Sequence, residues 1–130
     1  RPLTPKGEAQ ARRMARWLDE RLPGDAVILV SPAVRAQQTA QALKRAFKTS
    51  AAIDTGADCA MVLKAVGPPG DGATVLVVGH QPTLGRVASL VLTGTEGELS
   101  VKKSAVWWIH VRHAARRSAV LRAVMTPDML

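Results

Sequence analysis

The sequence predicts an α/β fold: a three-layer sandwich with a mainly parallel sheet, helices on both faces, and a C-terminal antiparallel strand pair. Three observations carry this. The apolar runs at residues 26–30 and 74–78 show no polar alternation, as befits parallel strands covered on both faces. Between and after them, apolar residues recur three and four apart, the helical period. The joints between these segments are short and carry Pro, Gly and Ser. A chain of 130 residues, 47% of them hydrophobic, suits a single core, and residues 1–130 read as one domain. No repeat or low-complexity tract divides it.

In chain order, Thr4 is placed to cap a helix whose first position is Pro5, because its hydroxyl accepts a backbone N–H and proline has none to leave unpaired. This helix is expected to run to about Arg21, with Ala11, Met14, Ala15, Leu18 and Leu22 buried and Trp17 at the edge of the stripe. A strand over 26–30 follows, and Ser31-Pro32 opens a second helix with Ala36, Ala40, Leu43 and Phe47 inward. A weak strand is expected at 51–54 and a short helix within 55–66. Residues 67–72, reading GPPGDG, form a loop before the strand at 74–78. Gly79-His80-Gln81-Pro82 leads into a helix over 83–92 with Leu84, Val87, Ala88 and Val91 inward, closed by Thr93-Gly94. Segments 105–111 and 119–125 read as two strands joined by a basic turn.

Composition narrows the function. The apolar stretches are far shorter than the roughly 20 residues of a membrane helix. A single cysteine, Cys59, excludes an intramolecular disulfide, and nothing near Arg1 resembles a signal peptide, so a cytoplasmic location without membrane attachment is expected. A net charge of +8 favours an anionic partner. With Phe47, three Trp and no Tyr, the chain lacks the stacking residues of a nucleic-acid reader, and no nucleic acid is expected as partner. Arg12, Arg13, Arg16, Lys44, Arg45 and Lys48 are expected on solvated helix faces.

Two strand-to-helix junctions place polar groups at the carboxyl edge of the sheet, where ligands of open parallel sheets bind. The first, Ser31-Pro32-Ala33-Val34-Arg35, sets a guanidinium in the first turn of a helix, where it can grip two phosphate oxygens. The second, Gly79-His80-Gln81-Pro82, puts a histidine after a buried strand, beside a glycine that would let a ligand approach. As an imidazolium, His80 could hold a phosphoryl oxygen. Taken singly, Arg35 reads also as an ordinary surface helix arginine, and His80 reads sooner as a capping or core histidine.

The residues around them resemble the histidine phosphatase superfamily, also called phosphoglycerate-mutase-like. Leu3-Thr4-Pro5-Lys6-Gly7-Glu8-Ala9-Gln10-Ala11 is similar to its LTxxGxxQA segment. Ser31-Pro32-Ala33-Val34-Arg35-Ala36-Gln37-Gln38-Thr39-Ala40 is similar to SPxxRAxQTA, and Gly79-His80-Gln81-Pro82-Thr83-Leu84 to GHxPxL. The motifs stand in the family's order. The opening Arg1-Pro2-Leu3-Thr4, the closing Thr126-Pro127-Asp128, and the little room for a lid between 55 and 73 resemble the short SixA-like branch, which acts on protein phosphohistidine.

The resemblance implies a phosphatase that works through a phosphohistidine enzyme intermediate, without cofactor or metal ion. Arg35 and His80 would be its catalytic and substrate-binding residues, with Ser31 also binding substrate. The nucleophilic histidine, in an RHG or RHA motif at the end of a first strand, is implied upstream of Arg1. Its substrate would be phosphohistidine in a signalling or phosphotransfer protein, such as a histidine-phosphotransfer domain. The alternatives are a small-molecule phosphatase or mutase acting on a phosphorylated metabolite, and a non-catalytic phosphoryl-binding protein. Neither the oligomeric state nor the general acid follows; Asp54 and Asp58 lie near the family's usual carboxylate position but outside any motif.

Other chemistries fail specific tests. Cys59 has Ala65, not arginine, six positions on, so no cysteine-phosphatase loop is present. GPPGDG lacks the Gly-Lys-Ser/Thr ending of a P-loop. His80, His110 and His113 have no zinc-ligand spacing with cysteine or carboxylates. Arg112-His113-Ala114 spells RHA after a strand, but out of the family's order. Lys102, Lys103 and Ser104 read as solvated residues near the rim of the pocket.

Overall fold

The computed structural model describes residues 1–68, 72–112 and 118–130. Helix α1 (Pro5–Asp19) begins at Thr4, whose hydroxyl accepts the Gly7 N–H at 3.1 Å. Its buried stripe is Ala11, Met14, Ala15 and Leu18, and Leu22 just beyond the helix is buried too. Each larger member of this stripe contributes about 1.5–3 kcal/mol by leaving water. Strand β1 (Val27–Val30) follows, then α2 (Val34–Gln41), whose Ala36 and Ala40 are buried together with Leu43 beyond its end. Phe47 is half-buried against the same core.

Three features of this half differ from the sequence-based expectation. Helix α2 ends at Gln41, so Leu43 and Phe47 pack on the core from beyond the helix. The strand expected at 51–54 lies earlier, as β2 (Lys48–Thr49), and residues Ala51–Ile53 form a 3-10 turn instead. Ser50 is the cause, because its hydroxyl accepts the Ala52 N–H at 3.2 Å and bends the chain where an extended run would have continued. Arg45 is not solvated. Its guanidinium bonds the Asp19 carboxylate at 2.8 Å and the Pro23 carbonyl at 2.8 Å, tying the exit of α2 to the end of α1. The guanidinium also donates to the Asp19 carbonyl at 3.3 Å, one of those that the helix end leaves unpaired.

Helix α3 (Cys59–Val66) is capped by Asp58, whose carboxylate accepts the Met61 N–H at 2.9 Å. Strand β3 (Val75–Val78) leads to α4 (Thr83–Thr93), which ends at Gly94 with φ of 79°, a left-handed conformation that glycine adopts without strain. Strands β4 (Val106–Arg112) and β5 (Ser118–Met125) form an antiparallel pair with a bulge at Trp108/Ile109. His113 and the basic turn lie outside the described residues, as do Pro69, Gly70 and Asp71 of the GPPGDG segment.

The parallel sheet has the order β2-β1-β3, and β4-β5 stands as a separate pair. Helices α1 and α2 pack on each other, as do α3 and α4, giving the α/β sandwich its helical layers. One core serves both sheets: Leu76 and Val78 of β3 and Val106 and Trp108 of β4 pack on the cluster built from α1, β1 and α2. Trp17 meets Trp108 edge to face, with ring centroids 6.4 Å apart. Trp107, next along the strand, points to the opposite face. Among the described residues, the edge of β3 away from β1 and the edge of β4 away from β5 pair with no strand. No described helix is long and apolar enough to cross a membrane.

Candidate active site

Strands β1 and β3 are parallel neighbours in a register that sets Val30 beside Val78. Whatever follows each strand therefore emerges side by side at the carboxyl edge. Ser31 follows the first and His80 the second after Gly79. The ladder continues through Ser31, whose N–H donates to the Val78 carbonyl at 2.9 Å. Two residues 49 positions apart thereby meet: Ser31 Oγ lies 2.7 Å from His80 Nε2. Ser31 is wholly buried, whereas His80 is half-exposed. No described residue bonds the other ring nitrogen, Nδ1.

Ser31 also turns the chain from strand to helix, since its Oγ accepts the Ala33 N–H at 3.2 Å. Helix α2 starts at the next residue, and its first-turn N–H groups face the same edge. Arg35 sits in that first turn, exposed, and no described residue binds its guanidinium. It stands four residues beyond Ser31 on the helix that follows β1. A guanidinium and a histidine on the two adjoining strand-to-helix junctions suit an anion with several oxygens.

Residues not among the expected site residues hold this arrangement. Gln37 donates from Nε2 to the Ser31 carbonyl at 2.9 Å and to Thr49 Oγ1 at 3.0 Å, joining α2 to the ends of β1 and β2. It stands at an open position of SPxxRAxQTA, so nothing in the pattern marks it. Gln38, the motif's own glutamine, accepts the Leu3 N–H at 2.6 Å and ties the segment before α1 to the helix bearing Arg35. Gln81 accepts the Gly85 N–H at 2.7 Å through Oε1 and donates to the Leu99 carbonyl at 3.3 Å. The peptide bond between Gln81 and Pro82 is cis.

The space beside Gly79 is already filled. A Cβ there would stand 2.8 Å from Ile53 Cγ2, so this glycine admits a buried neighbour and not a ligand, contrary to the sequence reading. The carboxylates near the family's acid position are engaged locally. Asp58 caps α3, and Asp54 accepts the Thr55 N–H at 2.8 Å. Cys59 is buried, and burial, reinforced by the nearby Glu96 carboxylate, pushes its thiol above the ordinary range. A protonated, enclosed thiol is no nucleophile. Among the described residues no cluster of His, Cys, Asp or Glu could hold a metal ion.

The fold and the site together define an α/β protein in which a serine and a histidine meet at the carboxyl edge of a parallel sheet. The family model of the histidine phosphatase superfamily (branch 1) matches residues 1–58. An uncharacterized protein of Mycobacterium tuberculosis is 34% identical over 80% of this chain and 68% of its own length. One from Picosynechococcus is 35% identical over 90% of this chain and 74% of its own. The chain belongs to the histidine phosphatase superfamily.

Within that superfamily its likeness is to SixA. The structure of the protein histidine phosphatase SixA complexed with tungstate superposes with a TM-score of 0.78 at 26% identity, over 99% of this chain and 86% of the other. SixA from Nakamurella multipartitia gives a TM-score of 0.79 at 26% identity, over 98% and 85%.

Proposed function

We propose that this protein is a phosphatase acting through a phosphohistidine intermediate, and that its substrate is phosphohistidine carried by a signalling or phosphotransfer protein. The observation that carries the reading is the meeting of Ser31 and His80 at the sheet edge, with Arg35 unpaired on the helix that follows β1, in a SixA-like fold. In this mechanism a histidine upstream of Arg1 attacks phosphorus, and the bond from phosphorus to the substrate imidazole breaks as that nitrogen takes up a proton. Water then cleaves the enzyme phosphohistidine, releasing orthophosphate and restoring the histidine. His80 and Arg35 stabilise the charge on the equatorial oxygens during both displacements. A departing imidazole makes little demand on a general acid, which fits the local engagement of Asp54 and Asp58.

Two features support a nucleophile strand upstream of Arg1. The solved SixA structures are longer than their matched part, this chain covering 85–86% of them, which leaves length for one further strand. The open edge of β3 also borders the shared core, and a strand running parallel to β3 along it would end beside His80. An accessible site supports a protein-borne substrate, since residues 50–66 form only a 3-10 turn and α3 and no lid.

The test uses the complete gene product with an aryl phosphate. His80→Ala and Arg35→Ala should each abolish turnover while leaving the circular-dichroism spectrum unchanged; retained turnover in either removes that residue from the site. Rates on a phosphohistidine protein should exceed those on sugar phosphates, and the reverse order would make this a small-molecule phosphatase.

A further inference from the structure

Ser31 was expected to touch the substrate, but its complete burial leaves it no surface for one. We infer that Ser31 is a positioning residue that fixes the tautomer of His80, holding Nε2 as an acceptor and leaving the N–H on Nδ1 to meet the phosphoryl group. The inference deepens the phosphatase reading and rests on it for the identity of the ligand, though not for the tautomer.

It follows from accounting for one hydroxyl. A serine Oγ has one proton to donate and two lone pairs to fill. Here one lone pair takes the Ala33 N–H at 3.2 Å. Among the described residues, the only other polar atom bonded to Oγ is His80 Nε2, at 2.7 Å. If Nε2 carried the proton, it would fill the second lone pair and leave the buried O–H with no acceptor. If Nε2 is bare, the O–H donates to it and the buried proton is paired, with one lone pair left unfilled, a smaller loss than an O–H without an acceptor. The second arrangement places the imidazole proton on Nδ1, which no described residue bonds.

The hydroxyl is itself held. Gln37 fixes the Ser31 carbonyl and, through Thr49, the end of β2, while the Ser31 N–H is locked to Val78. Turning the side chain about χ1 would break the Ala33 N–H bond to Oγ and leave the buried hydroxyl without its partners. His80 then presents a fixed N–H donor that needs no positive charge to stabilise a developing oxyanion, with Arg35 supplying the charge. Orienting a histidine through its second nitrogen is the usual way a protein chooses which nitrogen works.

Nitrogen-15 NMR of the labelled chain at about pH 8.5, well above the ordinary imidazole value of about 6.5, reads the tautomer directly. His80→Asn identifies the signals. The wild-type ring should show Nε2 in the bare-acceptor range and Nδ1 in the N–H range, and inorganic phosphate should perturb Nδ1 more than Nε2. Ser31→Ala, with an unchanged circular-dichroism spectrum, should move most of the population to the Nε2–H form, and Ser31→Thr, which keeps the hydroxyl, should restore it. A wild-type ring protonated at Nε2, or a Ser31→Ala ring with an unchanged tautomer, would overturn the inference. No substrate enters the tautomer measurement, so inactivity toward every phosphate ester would defeat the phosphatase reading and leave this result standing.

Discussion

Strands β1 and β3 are nearly the same string, VILV and VLVV, yet they live in different surroundings. In β1, Ile28, Leu29 and Val30 are buried, while all four residues of β3 are half-buried. Both pair with each other over their full length. What differs is the other flank, where β1 has β2 and β3 has no strand among the described residues. An apolar run thus reports that a segment wants two covered faces; it does not report whether its edges are covered. The contrast matters for function because Ser31 leaves the enclosed strand and His80 the open one. One side of the site is set in a rigid frame, and the other stands beside the position we assign to the nucleophile strand.

Substitutions can break or sharpen this contrast. The largest expected effect is at the enclosed strand: Ile28→Ala should cost about 3 kcal/mol in urea unfolding, as for a well-enclosed aliphatic side chain. The matched change in β3, Leu76→Ala, should cost about half as much in this chain, and more in the complete gene product if an upstream strand covers that edge. Equal costs in both forms would argue against a strand at that position.

Next in size is Gly85→Ala. Its Cβ would collide with the Leu99 carbonyl, so the segment leading to β4 must shift away from α4 and from Gln81. A loss of about 1–3 kcal/mol is expected, with faster hydrogen exchange along residues 95–101 as the local readout. The smallest effect belongs to the well-framed half, where Thr4→Ala removes the α1 cap and should cost about 1 kcal/mol. A calorimetric melt detects it, and an unchanged melting temperature would show that the cap bond contributes nothing.

Much of this molecule was legible before any coordinates. Thr4-Pro5, Ser31-Pro32 and Thr93-Gly94 mark helix ends by side-chain and backbone chemistry that acts within a few residues, so these boundaries fell close to their predicted places. Ser31 and His80 were both named as site residues, but their hydrogen bond depends on the register between β1 and β3, which no local pattern encodes. Gln37 went unnoticed because its two partners come from β1 and β2, and its own position in the motif is free to vary. Arg45 and Gly79 were misread for a related reason: each serves a neighbour distant in sequence, the α1 terminus in one case and Ile53 in the other. Strand β2 was misplaced by a single serine hydroxyl that turns the chain after Thr49.

The phosphohistidine intermediate is the centre of the functional account, and trapping it tests the account most directly. The complete gene product would be mixed with a protein labelled by phosphorus-32 on histidine and quenched in alkali within the first turnover. The account predicts label on the enzyme that survives alkali and is lost in acid, mapping to a histidine upstream of Arg1. Steady release of labelled orthophosphate with no label ever found on the enzyme would contradict it, because water would then be attacking the substrate directly.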